Sequence, residues 1–229
     1  MAENGHSLIK WNGLMRRRVS SLLTLVGLAI VAAAPGQSRA ADLTTLVSFC
    51  ALPNCADGFH PASSLIADAH RNLFATTWLG GNGLGNFAGT VFEIVKTDTG
   101  YASTPTTLVR FCSLPVPPPV FVAVVGDCID GAAPVAALIA DAEGNLLGTT
   151  QSGGANAGGT VFEIVKTDTG YASSPTILYS FCSLSNCSDG LNPVGALIAD
   201  ASGNLFGTTR GMGTSSEGGS WYGLQARHR

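Results

Sequence analysis

One stretch of 26 residues occurs twice in the chain with only four differences. Residues 89–114 read GTVFEIVKTDTGYASTPTTLVRFCSL, and residues 159–184 read GTVFEIVKTDTGYASSPTILYSFCSL. Near-identity at a fixed spacing is typical of tandem repeat folds, in which each unit buries its apolar face against the next unit. Every other feature of the chain therefore has to be assigned to a position within a repeat unit.

Each unit contains four short segments of the type ALIAD, NLFGTT, GTVFEIV and TILYSF. These segments are rich in β-branched and aromatic residues and are bounded by Gly, Pro, Asn and Asp, which is the pattern of strands. Four antiparallel strands in a repeat of about 60 residues are typical of a propeller blade. The sequence predicts an all-β fold of about three β-propeller-like blades. Because closed propellers usually have about four to eight blades, we expect an incomplete or open propeller.

The first two strands of each unit are joined by Asp-x-x-Gly-Asn, a tight hairpin signal. Gly144 and Gly203 can adopt the positive φ that this turn needs. In the first unit the turn reads His70-Arg71-Asn72 and lacks the Gly, so we expect a less regular turn there.

The two ends of the repeat region match different parts of the unit. Residues 43–50 (LTTLVSFC) match a fourth strand, and GGSWYGL at 218–224 aligns with GGTVFEI at 158–164 as a degraded third strand. The repeat domain spans 41–229, and its last blade is degenerate after about residue 211. We expect Leu43–Cys50 either to pair beside the C-terminal blade or to extend the first edge of an open stack. Unpaired strand edges would also permit self-association.

Residues 1–40 have the features of a secretory signal peptide. Arg16, Arg17 and Arg18 precede an apolar run, and Ser38-Arg39-Ala40 provides a small-residue cleavage site before Ala41. A membrane anchor is the alternative, but the run from 20 to 34 is shorter than the roughly 20 residues that a spanning helix needs. The sequence predicts a secreted, periplasmic or cell-surface protein.

Removal of residues 1–40 would make the chain acidic. That segment holds five of the twelve basic residues and one of the fifteen acidic residues, so residues 41–229 carry a formal net charge of −7. Without a basic stripe the sequence argues against nucleic acid as a partner.

All six cysteines follow the predicted cleavage site, and each pair occupies the same place in its repeat unit. An even number of cysteines in an exported chain favours disulfides. Zinc is the alternative, but the Cys-x4-Cys spacing lacks the second close pair or the histidines of a zinc site. The predicted bridges are Cys50–Cys55, Cys112–Cys128 and Cys182–Cys187.

The pattern SFC-x-DG-x-P-x-LIAD-x-GNLFGTT-x-GG-x-GTVFEI resembles the GloVer tandem repeat of bacterial choice-of-anchor proteins, over about residues 43–224. The resemblance implies an exported, β-rich repeat protein and transfers no catalytic residue. The chain departs from the family in its short length, its cysteine pairs and the insertion at 114–127.

Few residues suggest catalysis. The histidines after residue 40 are His60, His70 and His228; none recurs between units, and we expect His60 and His70 in surface turns. Gly83–Ala88 mimics a dinucleotide-binding fingerprint but precedes a strand rather than a helix, which favours a plain loop. The insertion 114–127 contains Pro-Pro-Pro and an apolar run. It would fold onto its own blade, cover a strand edge or dock a partner.

Two aspartate positions recur in every unit, and each has two interpretations. In a closed ring, equivalent carboxylates could bind Ca²⁺. The favoured interpretation is that each accepts backbone N–H groups of the adjoining turn, so that no cofactor is expected. The first position is occupied by Asp57, Asp130 and Asp189, and the second by Asp68, Asp141 and Asp200.

Two classes of function follow. The favoured class is an exported, non-catalytic repeat module, structural or interacting with a protein or glycan at the cell surface. The alternatives are a propeller-type polysaccharide hydrolase or lyase, which would need carboxylates from different blades at one end, and a relic of a longer repeat protein. The sequence names no catalytic residue for the enzyme.

Overall fold

The computed structural model describes residues 7–11, 42–81, 88–113, 128–211 and 222–227; for 7–11 and 222–227 it describes only the strand and its pairing. This part of the chain consists of strands, short 3₁₀ turns and loops without an α-helix, which confirms the all-β prediction. Within it, no helix has the length and apolar character needed to cross a membrane. Outside the described residues lie the apolar run at 20–34, residues 83–87 of the glycine loop, the insertion 114–127 and His228.

Two strands precede the first complete repeat unit. Strand β1 (Ser7–Trp11) pairs antiparallel with β2 (Leu43–Ser48). Among the strands described, β2 pairs with β1 alone and does not join the C-terminal sheet. We expected Leu43–Cys50 either beside the C-terminal blade or at the first edge of an open stack, and the structure shows the second arrangement.

Blade 1 is a five-stranded antiparallel sheet that follows a 3₁₀ turn at Pro53–Cys55. Its first strand is split into two pieces, which both pair with the second strand. The strands are β3 (Phe59–Pro61), β4 (Ile66–Ala67), β5 (Leu73–Leu79) and β6 (Thr90–Ile94), then, beyond the two-stranded ribbon β7 (Lys96–Thr97) and β8 (Gly100–Tyr101), β9 (Thr106–Arg110).

Blade 2 repeats this arrangement with four strands. The first piece of its first strand is reduced to a bridge between Ala132 and Ser152. The strands are β10 (Ile139–Ala140), β11 (Leu146–Thr150) and β12 (Thr160–Ile164), then, beyond the ribbon β13 (Lys166–Thr167) and β14 (Gly170–Tyr171), β15 (Thr176–Ser180).

Blade 3 has the first three strands of the repeat. After a 3₁₀ turn at Ser185–Cys187 come β16 (Leu191–Pro193), β17 (Ile198–Ala199), β18 (Asn204–Gly211) and β19 (Tyr222–Arg227). Strand β19 pairs with β18, so a third strand is present as predicted. Its predicted alignment is wrong by two residues: Thr150 faces Thr160 in blade 2, whereas Thr209 faces Tyr222 rather than Ser220.

The blades stack face to face in chain order, and the core lies between them. We call the face of a blade that is turned to the following blade its downstream face, and the opposite one its upstream face. Phe74 and Phe111 of blade 1 pack with Leu146 and Phe162 of blade 2 in one buried cluster. Phe181 of blade 2 packs in the same way against blade 3.

Strand β2 covers part of the upstream face of blade 1. The ring centroids of Phe49 and Phe92 are 4.7 Å apart, and those of Phe111 and Phe162, the equivalent pair between blades 1 and 2, are 4.9 Å apart. Strand β2 therefore packs as the fourth strand of a blade that would precede blade 1. The apolar residues on both faces explain why the strand sequences show continuous apolar runs instead of alternation.

Candidate functional site

The second recurrent aspartate of each unit organises the hairpin between the first two strands. Asp141 accepts the backbone N–H of Asn145 through Oδ1 and its side-chain N–H through Oδ2, both at 2.8 Å. Oδ1 of Asn145 then accepts the backbone N–H of Lys166 at 2.9 Å. The carboxylate of Asp141 therefore stabilises the turn, and Asn145 of the turn hydrogen-bonds to the chain just beyond the third strand.

The same hydrogen bonds recur in the other blades. Asp68 binds the backbone and side chain of Asn72 at 2.8 and 3.1 Å, and Asp200 binds those of Asn204 at 2.9 and 2.7 Å. The turn role predicted for this position is confirmed. Gly144 and Gly203 have φ of 85° and 76°, as predicted, and Arg71 adopts φ 67° at the same position. The first turn is therefore the same turn with a strained residue in it.

The first recurrent aspartate of each unit organises a disulfide loop. Oδ2 of Asp189 accepts the N–H and hydroxyl of Ser183 at 2.9 and 2.7 Å and the hydroxyl of Tyr179 at 2.8 Å. Oδ1 accepts the N–H of Leu184 at 3.2 Å. Burial tends to raise the pKa of Asp189, but these hydrogen bonds outweigh it and bring that pKa to about 2.

Asp57 and Asp130 make corresponding contacts. Asp57 accepts the N–H groups of Ala51 and Leu52 at 3.0 and 3.3 Å. Asp130 accepts the N–H and hydroxyl of Ser113 at 3.0 and 2.9 Å. Each of the six aspartates thus serves the backbone of its own repeat unit or of the loop that leads into it.

Three disulfides join Cys50 to Cys55, Cys112 to Cys128 and Cys182 to Cys187, the pairing predicted from the sequence. Disulfides persist in oxidising compartments, so the three bridges indicate an extracellular or periplasmic environment. In the described ranges, no three His, Cys, Asp or Glu side chains lie close enough together to hold a metal ion.

The described histidines lie apart from one another. His60 lies within the short strand β3, not in the expected turn, and its ring contacts Phe59 at 4.1 Å between centroids. His70 lies in the hairpin turn, as expected, with Nδ1 3.7 Å from Oδ2 of Asp68. Its side chain is 80% exposed, so this contact with Asp68 is a surface one.

One cleft with ionisable lining lies between blades 1 and 2, at the hairpin end of the stack. It is lined by Asp68 and Phe74 of blade 1 and by Gly144, Lys166 and Tyr171 of blade 2. The Tyr171 hydroxyl donates to the carbonyl of Gly144 at 3.3 Å. The ring of Tyr171 lies 5.4 Å from that of Phe74, so this tyrosine joins the two blades.

The charges around this cleft influence one another. Burial, followed by the negative charge of Asp68, raises the pKa of Glu93, while the ammonium group of Lys166 opposes the rise. Burial and the charges of Asp68, Glu93 and Asp141 raise the pKa of Tyr171 to about 12. A carboxyl whose pKa is raised beside a second carboxylate is an arrangement used for proton transfer.

The size of the cleft limits this chemistry. Its volume is about 30 Å³. This is enough for one or two water molecules and far below the roughly 300 Å³ at which ligand pockets begin. The cleft can hold water between the hairpins, but it cannot enclose a sugar ring.

Glu93, Lys166 and Tyr171 were not predicted from the sequence as site residues. A signal was present, because the 26-residue duplication repeats all three as Glu93/Glu163, Lys96/Lys166 and Tyr101/Tyr171. In blade 1 the equivalent Lys96 donates instead to the carbonyls of Thr97 and Gly100 at 2.6 and 2.9 Å. The packing of blade 1 on blade 2, and not the repeated motif, therefore determines that Lys166 and not Lys96 lines this cleft.

Comparison with known proteins gives no assignment: no protein-family model matches the chain, and no curated protein matches it.

Proposed function

We propose that this protein is an exported, non-catalytic repeat module that binds a protein or glycan at the cell surface. The proposal includes removal of residues 1–40 as a signal peptide, and it agrees with the resemblance to the GloVer repeat. Its main support is the use of the recurrent polar side chains. All six repeated aspartates hydrogen-bond to turns and disulfide loops, so the repeat preserves a framework and not a reactive group.

The disulfide loops supply the surface for the proposed interaction. Leu52 and Leu184 occupy equivalent positions in two loops and are 50% and 58% exposed. Ile129, next to the Cys112–Cys128 bridge, is 59% exposed. Repeated exposed apolar side chains on a stable loop suit contact with a partner better than they suit a monomer surface.

Labelled protein, recovered after export, should bind saturably to cells of the producing organism. Periodate treatment of the cells identifies a glycan partner, and protease treatment identifies a protein partner. Leu52→Ser with Leu184→Ser should weaken binding, whereas the control Val165→Ser, at a side chain 38% exposed on a different strand end, should not. Unchanged binding by the double variant would overturn the assignment of the loops.

A polysaccharide hydrolase or lyase is the second candidate, because burial and then the neighbouring charge of Asp68 raise the pKa of Glu93. The exported protein would then release new reducing or unsaturated ends from a polysaccharide panel, and Glu93→Gln would abolish that release. We expect no release. Turnover that depends on Glu93 would replace the binding proposal with the enzymatic one.

A further inference from the structure

The downstream face of blade 3 is an uncovered copy of an interface that the chain uses twice. Thr76 of blade 1 and Thr149 of blade 2 are buried, and their hydroxyls donate to carbonyls of the following blade, at Ala136 and Gly195, both at 3.5 Å. Thr208, at the same position of blade 3, is exposed. The third copy of this contact has the donor, and no following blade supplies the carbonyl within the described residues.

The apolar residues of this face show the same difference. Ile66 and Ile139 pack against the clusters between blades, whereas the equivalent Ile198 is 67% exposed. Phe74 and Leu147 are each 1% exposed, and the equivalent Phe206 is half-buried. These side chains match those that form the core between two blades, but no following blade covers them among the described residues.

The upstream face of blade 1 is incompletely covered in a complementary way. Leu138 and Leu197 are each 1% exposed beneath the preceding blade, whereas the equivalent Leu65 is only partly buried. Strand β2 supplies Val47 and Phe49 to this face. It provides the contribution of a fourth strand, and blade 3 contains the first three strands of the repeat and no fourth among the described residues.

The pairing of β1 with β2 identifies the edge of β2 at which a third strand from blade 3 would pair. In blade 1, the register between third and fourth strands shifts between Val91 and Phe92; in blade 2, it shifts between Val161 and Phe162. The β1–β2 pair has a shift between Ser7 and Ile9, with Ser7 opposite Ser48. Strand β1 therefore occupies the place of a third strand beside β2, and removal of residues 1–40 would vacate it.

We propose that the processed chain assembles head to tail with a second copy of itself. Blade 3 of one molecule docks on blade 1 of the next, and β19 takes the place of β1 beside β2, with Tyr222 opposite Ser48 of the second copy. One contact completes a four-stranded blade and covers both open faces. The partner is a second copy and not the same chain, because β2 and β19 lie at opposite ends of the linear stack.

This contact uses different surfaces on the two molecules, so it can be tested by complementation. Light scattering after size exclusion should give the exported wild-type protein at least twice the monomer mass, rising with concentration. Ile198→Asp breaks the blade 3 face and Leu65→Asp breaks the blade 1 face, so each variant alone should be monomeric. An equal mixture should form a dimer, because one intact face of each kind remains.

Control variants distinguish this contact from nonspecific association of apolar surface. Val165→Asp, at an exposed apolar residue of the middle blade, should leave assembly unchanged. If Leu65→Asp fails to fold, Ile198→Asp added to wild type should act as a terminator and reduce the mean mass toward that of a dimer. A monomeric wild type, assembly that survives Ile198→Asp, or a mixture that stays monomeric would each overturn the proposal. The inference depends on the proposed processing, and the intact mass of the same sample tests processing separately.

Discussion

Oγ1 of Thr77 lies 2.8 Å from Oγ1 of Thr90, and both side chains are buried in blade 1. The Thr77 hydroxyl donates to the carbonyl of Leu79 at 3.0 Å and accepts the N–H of Thr90 at 3.1 Å. The Thr90 hydroxyl is therefore the donor between the two side chains. Thr150 and Thr160 form the same pair in blade 2, also at 2.8 Å. The pair links the second and third strands at the position where each begins to diverge into its loop.

Blade 3 lacks this pair. Thr209 is 1% exposed, and its Oγ1 has no hydrogen-bond partner in the part of the chain that the structure describes. The register places it opposite Tyr222 where the other blades have a threonine. A buried hydroxyl without a partner costs free energy instead of contributing it.

We expect Thr150→Val and Thr209→Val to have different effects on stability. Thr150→Val removes the acceptor of the Thr160 N–H and hydroxyl, so it should lower the free energy of unfolding by about 1–3 kcal/mol. Thr209→Val removes an unpaired hydroxyl with nearly unchanged shape and should be neutral or stabilising. Urea unfolding of both variants with constant m-value measures the difference. Equal destabilisation by the two substitutions would contradict the pairing.

The first hairpin turn can be improved by one substitution. Arg71 has φ 67°, a conformation that costs a residue with a side chain about 1–2 kcal/mol. Arg71→Gly should therefore raise the free energy of unfolding by up to about 1 kcal/mol, after the extra flexibility of glycine in the unfolded chain is subtracted.

The reciprocal substitution is the matched control. Gly144→Arg places a side chain at the same position of blade 2, where φ is 85° and an added Cβ would lie 3.0 Å from Cδ of Lys166. It should destabilise by about 1–2 kcal/mol. The thermal midpoints of the two variants should move in opposite directions, and a shift in the same direction would show that backbone strain does not control this turn.

Local features of this fold could be predicted from the sequence, and contacts between blades could not. The Asp141-Asn145 turn and the three cysteine pairs depend on residues close in the chain, so motif and spacing were sufficient. The cleft lined by Asp68 and Lys166 depends on how one blade packs on the next, which no single unit encodes. The offset of Tyr222 has the same cause, because the register of β19 is determined across the sheet and not by its degraded sequence.

Strand β1 was not predicted for a different reason. SLIKW at 7–11 has no counterpart in the repeat and lies within the predicted signal peptide, so no pattern in the chain assigns it to a sheet. Its pairing with β2 depends on an unpaired edge that exists only in the folded protein. An edge strand of this kind accepts any segment of suitable pattern, and composition therefore identifies it poorly.

The disulfides should differ in their contribution to stability according to loop length. Cys182 and Cys187 are separated by 5 positions, and Cys112 and Cys128 by 16. In the chain-entropy model the first bridge contributes about 2 kcal/mol and the second about 3 kcal/mol. Replacing each pair with serines and measuring urea unfolding should give losses in this order. Removal of Cys50 and Cys55, also separated by 5 positions, is the control and should match the smaller loss.

The Tyr179–Asp189 hydrogen bond should make stability sensitive to acid. The pKa of Asp189 is about 2 in the folded protein against an ordinary value of 3.8. A lowered folded-state pKa means that the stabilisation is fully present above pH 3.8 and is lost as the pH falls through about 2.

Tyr179→Phe removes one donor, so the pKa of Asp189 should rise and stability should fall by about 1 kcal/mol at neutral pH, a value reduced by solvent screening at this partly exposed site. The difference between wild type and variant should narrow as the pH falls toward 2 and disappear below it. Tyr171→Phe is the matched control, because the Tyr171 hydroxyl donates to a backbone carbonyl and not to a carboxylate. Urea unfolding across this pH range, with NMR titration of the Asp189 carboxyl, measures these effects. The free energy of unfolding of Tyr179→Phe should converge on that of wild type at low pH, whereas that of Tyr171→Phe should differ by a constant amount. A constant difference for both variants would mean that Tyr179 does not stabilise the ionised form of Asp189.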